Sequence, residues 1–155
     1  MILDKDFSDF IQLLNTNEVE YLVVGGYALA LHGKPRHTGD LDIWINISNQ
    51  NAKKLVQTIA DFGMKSLGLV ESDFLSPGYV TQIGLPPIRI DLLSSIDGLS
   101  FEDALKNKQQ VIEDGMLIQY IGLHDLIRNK ESSGREQDLI DAKELRKIVS
   151  DHKAK

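Results

Sequence analysis

The chain has 155 residues, no cysteine, a formal net charge of −6, and 42% hydrophobic and 26% charged residues. This is the length and balance of one ordinary globular domain, so residues 1–155 are expected to fold as a single unit, and a disordered, fibrous or disulfide-stapled chain is excluded. Without cysteine there is no thiolate metal site and no cysteine nucleophile. The acidic balance also excludes a broad non-specific nucleic-acid surface, though not a nucleotide, because carboxylates hold phosphates through metal ions.

Met1 to Phe10 carries Asp4, Asp6 and Asp9 where a secretory leader needs basic residues and then an apolar core. The longest nearly apolar stretch, Tyr21 to Leu31, falls short of the roughly 20 residues of a membrane span. A cytoplasmic protein without a membrane partner is expected. From Asp6 to Asn17, Phe7, Phe10, Ile11 and Leu14 recur at helical spacing and predict a helix with one buried face. Glu20 to Val24 is β-branched and apolar, runs into Gly25-Gly26, and is followed by the Ala- and Leu-rich run Tyr27 to His32, which predicts strand, tight turn and short helix.

Asp40 to Ile47 alternates, with Leu41, Ile43, Ile45 and Ile47 on one face and Asp40, Asp42, Trp44 and Asn46 on the other. A second helix follows through Ala52, Leu55, Val56, Ile59 and Ala60, with Ser48 or Asn49 to cap it and Gly63 to end it. Tyr79 to Leu85 and Ile88 to Leu93 predict neighbouring strands separated by Pro86-Pro87, and Gln110 to Ile121 predicts one or two more around Asp114-Gly115. Two helices close the chain, about Gly122 to Lys130 and Arg135 to Ser150, the last with Leu139, Ala142, Leu145 and Val149 inward. The fold class is α/β (α+β), a mixed sheet flanked by helices.

Asp40 and Asp42 lie two apart on one strand, so both project from one face with alpha carbons roughly 6.5 to 7 Å apart. Aspartate is disfavoured in strands, and two like charges side by side repel unless a cation lies between them. Paired magnesium ions held by carboxylates are the common clamp for nucleotidyl transfer, and Asp91, charged within the apolar run Ile88 to Leu93, is the third candidate ligand. The same Asp40-Leu41-Asp42 pattern also suits a strand with one wetted face. Gly25-Gly26 stands between strand and helix, where backbone amides can meet an anion, although a glycine pair there also serves as a plain turn. Arg36 and Thr38, just before the aspartates, are placed to touch phosphate or fix their loop; His32, His37 and His124 lie near turns, where a lone histidine is ordinarily neither ligand nor base.

The run Val23 to Gly33, with Gly25-Gly26, followed by Arg36 to Ile45, with Gly39-Asp40-Leu41-Asp42, resembles the nucleotidyltransferase superfamily of DNA polymerase β-like fold, and within it the AbiEii-type toxin nucleotidyltransferases and related small bacterial proteins. The resemblance implies a nucleotidyltransferase fold in which Gly25 and Gly26 bind triphosphate and Asp40 and Asp42 coordinate magnesium or manganese. Asp91 would complete the triad and help deprotonate the attacking hydroxyl. It extends to Asp125 to Lys130 and Gly134 to Asp141, where it implies that Lys130 reaches the nucleotide phosphates and that Arg135 and Asp138 tie the last two helices together. Many members have glycine-serine at the pair; with Gly26 followed by Tyr27, phosphate contacts here would come from backbone amides alone. The expected activity is transfer of a nucleoside monophosphate from a nucleoside triphosphate to a hydroxyl on a small molecule, an RNA end or a protein, with acceptor, preferred base and oligomeric state left open. The alternative is a catalytically silent binding module or toxin-antitoxin partner that keeps the fold.

Overall fold

The computed structural model describes residues 3–34 and 39–154. Helix α1, Lys5–Thr16, starts at Asp4, whose side chain accepts from the Asp6 N–H at 2.8 Å, and it buries the predicted Phe7, Phe10, Ile11 and Leu14. Strand β1, Tyr21–Val24, is buried at all four positions. Helix α2, Gly25–Leu31, begins directly at the glycine pair, so the two glycines form its first turn and not a separate turn ahead of Tyr27.

Strand β2 is Asp40–Ile45, two residues shorter than the alternation suggests, and helix α3, Asn49–Asp61, is capped by Ser48, whose Oγ accepts from the Asn51 N–H at 3.0 Å. Two short 3₁₀ turns, Lys65–Leu67 and Glu71–Phe74, lead to the hairpin of β3, Val80–Leu85, and β4, Ile88–Leu93. Helix α4, Phe101–Lys106, a second hairpin of β5, Gln109–Glu113, and β6, Met116–Tyr120, and helices α5, Leu123–Ser133, and α6, Glu136–Ala154, complete the order. Asp114 and Gly115 both take positive φ at the tip of the β5–β6 hairpin, as a tight two-residue turn requires.

The six strands form one mixed sheet in the order β3-β4-β2-β1-β6-β5. The central β2 runs antiparallel to β1 and parallel to β4; β1 and β6 are parallel, and the outer pairs are antiparallel. Period-2 alternation then sorts the side chains. Tyr21, Val23, Leu41, Ile43, Ile90 and Leu92 face one apolar cluster beneath α1 and α3; Leu22, Val24 and Trp44 face a second cluster built from α2, α4, α5 and α6.

Two side chains lie otherwise than their spacing predicts. Trp44, placed with the wetted residues of β2, is 2% exposed, because the second helical layer covers that face and Phe101 packs edge-on to its ring at 5.0 Å. Leu139, expected inward on α6, is 44% exposed while Ala142 and Leu145 are buried. In the first turns of α6 the inward places are taken by Asp138 and Asp141, which face Lys130. No helix among the described residues is long and apolar enough to cross a membrane.

Candidate active site

The register of the sheet assembles the acidic residues. Asp42 is the cross-strand partner of Val24 on β1 and of Asp91 on β4, so the last residue of β1 and two aspartates lie on one rung. Asp40 sits two residues back along β2 and therefore on the same face, opposite Arg89. The three predicted aspartates thus share the sheet face that carries the second apolar cluster. Asp91 is 7% exposed, so one wall of the acidic site is closed by packing.

Arg89 was absent from the residues singled out by sequence, although its spacing from Asp91 is that of Asp40 from Asp42. Its guanidinium donates through Nη2 to Asp40 Oδ2 at 2.5 Å and to Asp91 Oδ2 at 3.2 Å, and through Nε to Asp91 Oδ1 at 2.9 Å. Asp42 takes no hydrogen bond or ion pair from the described residues. Burial pushes its carboxyl up to about 6, the charges of Asp91 and Asp40 add to the rise, and Arg89 and Lys130 oppose it.

Gly25 is shaped by Asp42. It has φ +66°, a left-handed conformation that glycine adopts without penalty, and a Cβ built there would collide with Asp42 Oδ2. The carboxylate therefore rests directly against the start of α2. Beyond it opens a cleft of about 300 Å³ lined by Gly25, Asp42, Tyr79, Lys130, Arg135 and Asp138 among others. Gly26, the other half of the pair, is buried in α2. Tyr79, also missed by sequence, is 62% exposed; its N–H donates to Ser94 Oγ at 2.9 Å and its carbonyl accepts from the Ser94 N–H at 3.0 Å.

Lys130 lies inside α5 and is buried, with Nζ donating to Asp141 Oδ2 at 2.9 Å and to Asp138 Oδ1 at 3.3 Å. An ammonium has three protons, so one has no partner among the described residues. Lys130 with Asp138 and Asp141 thus forms the buried tie between α5 and α6, which Arg146 with Glu131 and the Ser133 hydroxyl with Asp138 join as well, while Arg135 bonds Asp138 within one turn at 3.1 Å. Burial works to raise the Asp138 carboxyl, but the Ser133 hydroxyl, Lys130 and Arg135 together hold it below its usual value. His32 serves structure, its Nε2 lying 2.7 Å from the Ile121 carbonyl. Arg36, His37 and Thr38 lie outside the described residues.

The donor set suits a hard divalent cation, for it is all oxygen and carries excess negative charge on one face. Arg89 stands as a cation between two of its members. Among the described residues no three carboxylate or imidazole groups stand as a ready cage for a metal ion.

Solved structures show the same fold. A candidate nucleotidyltransferase from Thermotoga maritima is 18% identical with a TM-score of 0.58, over 94% of this chain and 91% of that one. An antigenic nucleotidyltransferase-like protein from Paracoccidioides brasiliensis is 17% identical with a TM-score of 0.55, over 92% and 73%. A lincosamide antibiotic adenylyltransferase, solved with lincomycin bound, is 17% identical with a TM-score of 0.55, over 95% and 98%. No curated protein matches the chain. The sheet that gathers these aspartates is accordingly that of the nucleotidyltransferases, and the match over residues 4–155 makes the chain a member of the family described as nucleotidyl transferase of unknown function (DUF2204).

Proposed function

We propose that the protein transfers a nucleoside monophosphate from a nucleoside triphosphate to an acceptor hydroxyl, with Asp40, Asp42 and Asp91 as ligands of magnesium or manganese. The observation that carries this reading is the rung Val24, Asp42, Asp91, with Asp42 unpartnered among the described residues, raised to about 6, and open to a cleft that also holds Gly25 and Lys130. Divalent metal, when bound there, neutralises the charge of phosphates and polarises the phosphorus under attack.

The chain's own groups do the rest. The acceptor oxygen forms a bond to the α-phosphorus, the bond to the bridging oxygen breaks, and pyrophosphate leaves; Asp91 takes the proton of the acceptor hydroxyl on a carboxylate oxygen. Backbone amides at the start of α2 and the third proton of Lys130 donate to the departing phosphates, which need several donors at once. Gly25, having no side chain, leaves the space in which the Asp42 carboxylate rests against the start of α2, beside those amides. The likeness of the glycine-pair and aspartate motif to the AbiEii-type enzymes supports the same assignment.

Titration calorimetry with a non-hydrolysable nucleoside triphosphate tests it. Wild type binds with magnesium and at least about tenfold more weakly without it, and Asp42→Asn loses that metal dependence. Binding that ignores both magnesium and the substitution sinks the metal assignment. Metal-dependent binding without pyrophosphate release from any nucleoside triphosphate would favour the silent binding module.

A further inference from the structure

The cation already present in the acidic site belongs to the protein. Arg89 and Asp40 face each other across the β2–β4 register, Arg89 and Asp91 share a face of β4, and the guanidinium spans both carboxylates with three hydrogen bonds between 2.5 and 3.2 Å. This fork engages both oxygens of Asp91 and one of Asp40, with the arginine side chain 26% exposed and the Asp91 side chain 11%. Four further residue pairs of β2 and β4 are in register beside Asp40 and Arg89, so the fork is not the only link between these strands. It does engage oxygens of two of the carboxylates assigned above to the metal.

We propose that Arg89 is a built-in counter-ion that competes with divalent metal for Asp40 and Asp91 and yields when a triphosphate arrives. The inference rests on the metal-dependent reading above. A divalent ion alone must displace a positive charge that cannot be neutralised by losing a proton, since a guanidinium stays charged throughout the working range of proteins. The displaced group then lacks its anionic partners. A polyphosphate supplies new ones, and planar guanidinium is suited to bind phosphate oxygens in pairs. Metal and triphosphate therefore bind with positive coupling, each favouring the other, and the free protein resists metal without its nucleotide.

The test compares wild type, Arg89→Gln, Arg89→Lys and Asp42→Asn by the paramagnetic signal of free Mn²⁺, first with Mn²⁺ alone and then by calorimetry with a non-hydrolysable triphosphate at saturating Mn²⁺. Arg89→Gln is expected to bind Mn²⁺ alone about tenfold or more tightly than wild type, and the triphosphate about tenfold more weakly. Arg89→Lys keeps the charge without the fork and falls between them; it carries the test if thermal unfolding shows that the glutamine variant does not fold. Equal or weaker Mn²⁺ binding by the folded Arg89 variants, with binding lost in Asp42→Asn, overturns the role of Arg89 and leaves the metal site standing. Mn²⁺ binding unaffected by Asp42→Asn, or undetectable in wild type and the Arg89 variants alike with and without nucleotide, overturns both.

Discussion

At Asp42 burial and two neighbouring carboxylates act in one direction, and the carboxyl moves from 3.8 to about 6. A raised acid is one that folding prefers protonated, so its contribution to stability is intact below its ordinary value and is lost as pH rises through about 6. Asp42→Asn removes the charge and keeps the size. The variant should match wild type near pH 4 and exceed it above pH 7 by about 1 to 3 kcal/mol, the upper figure being the full free energy of such a change in affinity for a proton. Urea unfolding of both proteins across that range checks this, and parallel curves would show that the cost of charging Asp42 is met elsewhere. The residue scale was also where sequence spoke most clearly. Two aspartates two apart on a strand must share a face, but nothing in their spacing says that Asp42 presses on Gly25, because that contact joins a β2 side chain to backbone beyond β1.

Helices α5 and α6 meet over an ionic contact inside a mostly apolar layer. Lys130 and Asp141 are 4% and 5% exposed, and Asp138 shares the ammonium. Lys130→Met takes from Asp141 its buried ion pair with the ammonium while the Gln137 amide still donates at 2.9 Å, so it should cost about 3 to 5 kcal/mol, whereas Lys130→Met with Asp141→Asn should recover much of that loss. Chemical denaturation of the single and double variants measures the difference; a double variant no more stable than the single would show that Asp141 has other support. Loss of nucleotide binding in Lys130→Ala alone would mix folding with function, and the paired variant separates them. At this scale the stripes of α1, α3 and α5 were readable because apolar residues recur every three or four positions. Helix α4 was not, since six residues hold less than two turns and give no period. Leu139 misled for a related reason: periodicity counts apolar residues, and the inward places of α6 went to the two acids that pair with Lys130.

Across the whole molecule the sheet is unequal in its seams. Five residue pairs join β2 to β4 and six join β3 to β4, while β1 and β6 share the single register pair Val23 with Tyr120, supported by the Ile121 N–H donating to the Val23 carbonyl at 3.1 Å. Side chains reinforce that seam, with Asn15 Nδ2 donating to the Leu117 carbonyl at 2.7 Å and the Tyr21 hydroxyl to Asn15 Oδ1 at 2.8 Å. Native-state hydrogen exchange should therefore show β5 and β6 amides opening at lower free energy than those of β1, β2 and β4, with a smaller denaturant dependence. If β5 and β6 exchange only with the global transition, the seam is as strong as the rest. The mixed α/β class and most element positions were legible in the alternation and stripes of the sequence. The strand order was not, because pairing β2 with β4 joins segments far apart in the chain, and only that pairing sets Arg89 against Asp40.

The rung of Val24, Asp42 and Asp91 spans three strands of the sheet. Neighbouring strands are spaced about 4.8 Å apart whatever side chains they carry, so the separation of the Asp42 and Asp91 backbones works as a lattice constant of the sheet. Substitution on the rung changes which groups are mounted there without resetting the gauge between them.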